Sequence, residues 1–268
     1  MISTDQKRKL ISSFVTGQDL STSDPYDVWK TRFGCWSKKL YAKNRFIALP
    51  LVAAITIIDV YFNNTLRLAY KKQEYPIVRA LSAQVLINLY QLDGDEQHLN
   101  TAKQHLDWLL SESCLGYSGP CWGLGFKWVV SDTLTYDENT PLTTATPYIL
   151  EAFIRYDQLR PSDSSKENIR AILSFFINDI CYLIDNEDAL AASYAPYADR
   201  IVVNASSYVM YSLAMCIPYV ESSVKIQLQD KITRLYNFIL NNIASNGAIL
   251  YSPEGDSFID CFHSCFVL

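Results

Sequence analysis

His263 and Asp260 stand three residues apart in the last stretch of the chain, Phe258-Ile259-Asp260-Cys261-Phe262-His263. On a helix that spacing puts both side chains on one face. A carboxylate that orients an imidazole is the pairing a general acid or base needs, because the imidazole titrates near working pH. The same pair also reads as a core histidine beneath an aspartate N-cap. Tyr194 offers a phenol for proton transfer or a ring on which a sugar stacks, and Tyr251 offers the same in a matching segment. With 18 tyrosines in the chain, most serve ordinary packing. Asn204 opens an apolar helix, where its amide could hold a sugar hydroxyl, stabilise a developing oxyanion or cap the helix. Arg200 carries the planar fork suited to the carboxylate of an acidic sugar. Trp122 and Trp128 present indole faces for a sugar, while a glycine-flanked tryptophan also plugs a loop onto a core.

Other titratable groups carry less. His98 and His105, seven residues apart on an amphipathic helix, read as structural or solvated. Asp132, Asp137 and Glu138 share one polar loop. Paired carboxylates do glycosidase work at separations of roughly 5–9.5 Å, and solvated charge is the simpler reading here. Asp260, Cys261, His263 and Cys265 are zinc-ligand types that Cys121 or Cys216 could complete, but the spacing lacks a second firm cluster. No cofactor or metal is therefore expected, with a zinc-dependent toroid enzyme as the further alternative.

The elements that position these residues repeat. The segments beginning at Pro141, Val202 and Phe258 each open an apolar helix with small polar residues, at a period of about 57 that marks an array of helical hairpins. Leu99, Ala102, Leu106 and Leu109 form one apolar stripe on a helix from about Gln97 to Ser111, behind an Asp93-Gly94-Asp95 turn and cap. Ser164-Ser165-Lys166-Glu167 has capping-box form ahead of a second such helix, and a third runs from about Val224 to Asn241, ended by Ser245-Asn246-Gly247. Between them lie more uniformly apolar helices near 77–92, 146–159 and 203–219 and from Ile259 onward. Striped helices are peripheral and uniformly apolar ones buried, so the alternation implies inner and outer layers: an all-α chain, an α/α toroid of hairpins. It is expected as a single domain over residues 1–268, with 1–43 the least patterned part. Residues 116–128, 191–200 and 251–258 precede inner helices and would gather on one rim as loops, where function concentrates.

Composition fits a folded globule: 268 residues, 49% hydrophobic and 19% charged. A net charge of −5 with no long basic block argues against nucleic acid. The start shows no secretory signal, and seven cysteines, an odd number, favour reduced thiols, so a cytoplasmic location is expected, with peripheral attachment to the inner membrane left open. Residues 46–58 are uncharged but interrupted by Pro50 and shorter than the roughly 20 residues a span needs. They are expected as a buried helix, with no transmembrane segment.

Cys121-Trp122-Gly123 with Phe126-Lys127-Trp128, then Thr146-Pro147, Ser193-Tyr194-Ala195-Pro196, Val203-Asn204-Ala205 and Ile259-Asp260-Cys261-Phe262-His263, resemble the ordered signposts of a bacterial six-hairpin family of polysaccharide biosynthesis. The similarity covers about residues 75–268, and such proteins resemble six-hairpin glycosidases and (α/α) polysaccharide lyases in fold. It implies making or modifying a surface or capsular glycan. Ile249 departs from the family's Trp, and a six-hairpin ring at this period needs roughly 340 residues, so the last hairpins are expected to be missing. Two functions are open. One is a glycan hydrolase, lyase or epimerase using His263, Asp260 and Tyr194, with Trp122, Trp128, Asn204, Tyr251 and Arg200 binding the glycan or a sugar-containing intermediate. The other is a non-catalytic glycan-binding or assembly subunit, completed by a partner or a second copy across an apolar edge at Phe262, Phe266, Val267 and Leu268.

Overall fold

Asn44 sets the geometry of the first helices. It ends one helix, its amide bonding back to the Leu40 carbonyl, and begins the next, its Oδ1 accepting from the Ile47 amide at 3.2 Å. The computed structural model describes residues 4–24, 27–63, 72–253, 258–259 and 261–267. They divide into two compact units: Met1–Val78 with Gly123–Thr140, and Arg79–Trp122 with Pro141–Leu268.

The first unit holds α1 (Thr4–Val15), α2 (Asp27–Lys30), α3 (Arg32–Lys43), α4 (Arg45–Ile58) and a π-helical turn, Asp59–Asn63, which continues α4. A short antiparallel hairpin pairs β1 (Trp128–Val129) with β2 (Thr135–Tyr136). Gly34 lets α2 and α3 meet, since a Cβ there would lie 2.2 Å from the Val28 carbonyl oxygen. The segment expected as a buried helix is α4, and the structure corrects that expectation. Only Ala48 and Ile55, seven residues apart on one stripe against α3, are buried, and the window Arg45–Phe62 is 11% buried at a mean hydropathy of 1.9. Hydropathy measures what a helix would hide, and among the described residues only one side of α4 is hidden.

The second unit alternates two kinds of helix, as the repeat implies. α5 (Pro76–Asp93, its first three residues in the first unit), α7 (Thr146–Leu159) and α9 (Val203–Cys216) are the more deeply packed set. α6 (Glu96–Ser111), α8 (Asp163–Asn178) and α10 (Ser222–Asn241) each bury one stripe. α9 packs against α7, α8 and α10. Pro218 ends it as a 3-10 turn, Ile217–Tyr219, short of the residue 219 expected for the helix end. Asp95 caps α6 as expected, accepting from the Gln97 amide at 2.9 Å. The cap of α8 is Ser162, two residues ahead of the expected box. It comes after Pro161 in extended conformation and accepts from the Ser165 amide. α11 (Cys261–Ser264) is a single turn.

Residues 191–200, expected as a loop, are strands. β3 (Tyr182–Asp185), β4 (Leu190–Ala195) and β5 (Tyr197–Ile201) form an antiparallel sheet in that order. The small residues of β4 explain it: Ala191, Ala192, Ser193 and Ala195 are buried, and the strand lies close on α9 and α10. Ser206 Oγ on α9 accepts from the Ala192 amide at 3.1 Å.

In the first unit, Lys38 Nζ sits 3.2 Å from the Trp128 ring centre with no hydrogen-bond partner. It lines a cavity of about 260 Å³ with Trp29, Tyr41, Val52 and Val129. Burial pulls its pKa down to about 8, and the indole face offsets part of that cost. The unfolded chain, titrating near 10.5, therefore holds a proton that the folded unit has released between about pH 8 and 10.5, so stability contributed at this site rises with pH across that window. The melting-temperature gap between Lys38→Met and the parent chain is expected to narrow as pH rises from 8 to 10, with the variant ahead at neutral pH. A gap independent of pH would refute the buried, unpartnered ammonium.

Candidate functional site

The first turn of α9 is held by a neighbouring segment rather than by its own cap. Val202 precedes it without a side-chain cap bond, and the Val203 amide donates to the Tyr251 carbonyl at 2.9 Å. Asn204, one residue on, does not cap the helix. It is 6% exposed, and its Oδ1 is buried with no hydrogen-bond partner. Such an acceptor costs about 1–3 kcal/mol unless something satisfies it. Asn204 lines a crevice with Ile249, Leu250, Tyr251, His263, Ser264 and Val267, too narrow as it stands to hold a water molecule.

The ring of Tyr251 organises the rest. Phe258 stacks on it at 4.3 Å between centroids, and the His263 imidazole meets it edge-on at 4.7 Å. Its hydroxyl accepts from Arg200 Nη1 at 3.1 Å, and the Arg200 guanidinium lies 4.5 Å from the centre of the Tyr194 ring. The Tyr194 hydroxyl in turn accepts from Thr144 Oγ1 at 3.2 Å. α11 is docked by the two residues Phe266 and Val267 just beyond its end. Phe266 packs on Tyr208 with centroids 5.7 Å apart, and Val267 packs on the buried cluster of Ala191, Val203, Phe238, Ile239 and Ile249. The apolar edge expected at Phe266 and Val267 is thus half covered by the chain's own core.

Five of the eight sequence candidates, Tyr194, Arg200, Asn204, Tyr251 and His263, therefore form one linked group. Asp260 lies outside the described residues. Trp128 belongs to the other unit, where Lys38 occupies one face of its ring and Phe126 meets it edge-on at 6.0 Å. Trp122 is 0% exposed. Its indole donates to the Leu109 carbonyl at 2.8 Å, its amide donates to Thr146 Oγ1 at 3.0 Å, and its carbonyl accepts from the Leu142 amide. No face is left for a sugar, so the glycine-flanked ring is a core plug.

Sequence reasoning missed a polar seam on the inner helices. The Tyr148 and Tyr208 hydroxyls share a 2.6 Å hydrogen bond, and burial, with the Tyr148 hydroxyl next, pushes the Tyr208 phenol well up. Arg155 Nη1 donates to Gln84 Oε1, whose amide donates to the Tyr148 carbonyl, and Glu151 lies 3.9 Å from Arg155. The signal was present: Tyr148, Glu151 and Arg155 fall at i, i+3 and i+7, on one face of the helix. His105 is buried with Nδ1 2.8 Å from Arg79 Nη1, and His98 pairs with Asp93, so both are structural. Asp137 is exposed and pairs with Lys127.

Among the described residues, no three His, Cys, Asp or Glu side chains converge where a metal could sit. Neighbouring Cys114 and burial push the Cys121 thiol far up, and burial pushes Cys216 up to about 12.

No protein-family model matches the sequence, and no curated protein matches it. Solved structures do. One, a possible member of the GH105 family from Klebsiella pneumoniae, aligns with TM-score 0.54 and 10% identity over 98% of this chain and 74% of its own. A GH76 alpha-mannanase from Bacteroides thetaiotaomicron gives 0.51 and 15% over 73% and 51%, and cellobiose 2-epimerase from Bacillus thermoamylovorans gives 0.50 and 12% over 88% and 64%. The chain thus spans about half the length of the mannanase and under two thirds of that epimerase. These likenesses establish the fold as the α/α toroid of six-hairpin glycosidase-like proteins.

Truncating the core plug tests the reassignment of Trp122. Trp122→Ala is expected to cost roughly 3–5 kcal/mol in denaturant unfolding. A loss no larger than that of an exposed residue would return the ring to the pocket wall.

Proposed function

We propose that this chain acts on a glycan bearing uronic acid, at the crevice beside the first turn of α9. The single observation that carries the reading is the buried, unpartnered Asn204 Oδ1, which lines the same crevice as His263 and Tyr251. A sugar hydroxyl is a donor of the right kind for it. Arg200, which donates to the Tyr251 hydroxyl, carries the planar fork that would hold the carboxylate. Neutralising that carboxylate acidifies the adjacent C5–H, and His263 is the base within this group that would take the proton. Return of a proton to the opposite face, from a phenol such as Tyr194 or Tyr251, gives an epimer. Departure of the oxygen at C4, with the electron pair forming the C4–C5 double bond, gives elimination. Proton abstraction draws on a base and a carboxylate-binding arginine, both of which this linked group contains. Asp260, beside His263 in sequence, is the residue proposed to orient the imidazole. A surface or capsular polysaccharide, or an intermediate in making one, is the substrate class that the sequence resemblance favours.

A second reading, a glycan-binding subunit without turnover, draws on the narrowness of the crevice, which must widen before a sugar ring can enter.

Titration calorimetry and product analysis with uronic-acid and neutral oligosaccharides separate the two. The parent chain is expected to bind the acidic set. Asn204→Ala should weaken binding roughly 10- to 100-fold while leaving the melting temperature unchanged or higher, because it removes an unsatisfied acceptor. Unaltered affinity in that variant would sink the site assignment. His263→Ala should keep binding and lose turnover, and turnover at the parent rate would remove His263 from catalysis. Binding with no turnover in the parent chain would establish the second reading.

A further inference from the structure

From Val28 to Ile58 the chain carries six Lys or Arg and no Asp or Glu, although its net charge is −5. That stretch runs from within α2 through α3 and α4, which pack along each other, and α4 continues into the π-helical turn. Outside the Ala48–Ile55 stripe, many of the apolar side chains of this hairpin face solvent. Phe46 is 78% exposed, Tyr61 is 74% exposed, and Ile47 and Phe62 are each more than half exposed. On α3, Phe33 and Trp36 stack on each other at 5.9 Å in the open, each more than half exposed. Arg32, Lys39, Lys43 and Arg45 are exposed among them. A contiguous apolar surface of this kind is not left bare in water without a partner.

We propose that the α3–α4 hairpin is a membrane anchor that lies in the plane of an anionic lipid leaflet. Charge complementarity selects the occupant. The exposed Arg32, Lys39, Lys43 and Arg45, interleaved with exposed aromatic rings, match a surface of anionic headgroups over acyl chains. Trp and Tyr settle at the headgroup level, and basic residues near such a surface are drawn to its negative potential. A second copy of this chain would have to bring a like-charged hairpin against this one. A crossing helix fits less well. The nineteen residues from Arg45 to Asn63 would reach about 28 Å, the thickness of the hydrocarbon layer, but α3 lies against α4 with Lys38, Lys39 and Lys43, and Asp59 stands near the far end. Spanning would draw those charges into hydrocarbon, whereas an in-plane hairpin leaves the exposed Lys39 and Lys43 at the headgroups.

Sedimentation of the full chain with lipid vesicles tests this. The chain is expected to pellet with vesicles of phosphatidylcholine and phosphatidylglycerol at least about tenfold more strongly than with phosphatidylcholine alone, and salt should weaken the difference. Lys39→Glu with Lys43→Glu should abolish the preference for anionic vesicles. Phe46→Ser with Tyr61→Ser and Phe62→Ser should abolish pelleting with both. All five side chains are exposed, so the melting temperature of each variant should match the parent chain and exclude misfolding as the cause. Equal pelleting with both vesicle types, or none, would overturn the proposal. So would a parent dimer that the triple variant converts to monomer, which would make the face a contact between copies. Retention in cell membranes through carbonate washing would overturn the in-plane geometry in favour of a span.

Discussion

The candidate site depends on one backbone hydrogen bond, from the Val203 amide to the Tyr251 carbonyl. It replaces the cap that α9 lacks and fixes the segment after α10 against the start of α9. Tyr251 then stands where its ring can hold Phe258 and His263 and its hydroxyl can take Arg200. Asn204 comes next to Val203 in the chain, so the same bond brings its amide to the crevice. Without it the site residues would belong to separate elements of the second unit, on β4, β5, α9, α11 and the segment between α10 and α11.

The bond is one instance of a repeated stitch. One hairpin earlier, the Thr143 amide, just before α7, donates to the Tyr194 carbonyl. Tyr194 and Tyr251 are 57 residues apart, as are Thr146 and Val203, which begin α7 and α9. The acceptors Tyr194 and Tyr251 keep the period of 57, but the donors do not: Val203 opens α9, whereas Thr143 lies three residues ahead of α7. The two copies have diverged in their side chains. At α7, Thr146 Oγ1 exchanges bonds with the Trp122 backbone and the copy is closed. At α9, the residue after the start is Asn204, whose acceptor is left over. The buried acceptor at Asn204 is a group the fold leaves unsatisfied, at a cost of about 1–3 kcal/mol.

This divergence explains which features are legible in the sequence and which are hidden. Helix periodicity, the period of 57 and the rim positions of Tyr194, Arg200, Asn204, Tyr251 and His263 are local or repeated signals, and all can be read from the chain. The fate of Trp122 cannot, because its indole partner is the Leu109 carbonyl on α6 and a glycine-flanked tryptophan suits a plug and a wall equally. β4 was hidden for a related reason. Its alanines and serine carry little strand preference, and close packing on α9 and α10, a tertiary fact, holds them extended. The exposure of α4 was hidden most completely, since an apolar helix has the same composition whether protein or lipid covers it.

The inner helices are also less apolar than their sequence suggests. Tyr148, Glu151 and Arg155 lie along one face of α7, each partly exposed, and their partners Gln84 and Tyr208 come from α5 and α9. A helix buried all round would leave those groups desolvated at several kcal/mol apiece. Here they bond across helices while staying in reach of water, so the face shared by α5, α7 and α9 is a polar wall rather than the centre of a dry core. Tyr208 joins that wall to the site, bonding to Tyr148 on one side and packing on Phe266 beyond α11 on the other. A ligand that moved α11 to reach Asn204 would disturb Phe266, and with it the tyrosine pair. Tyr208 is thus the residue through which the crevice and the polar wall touch.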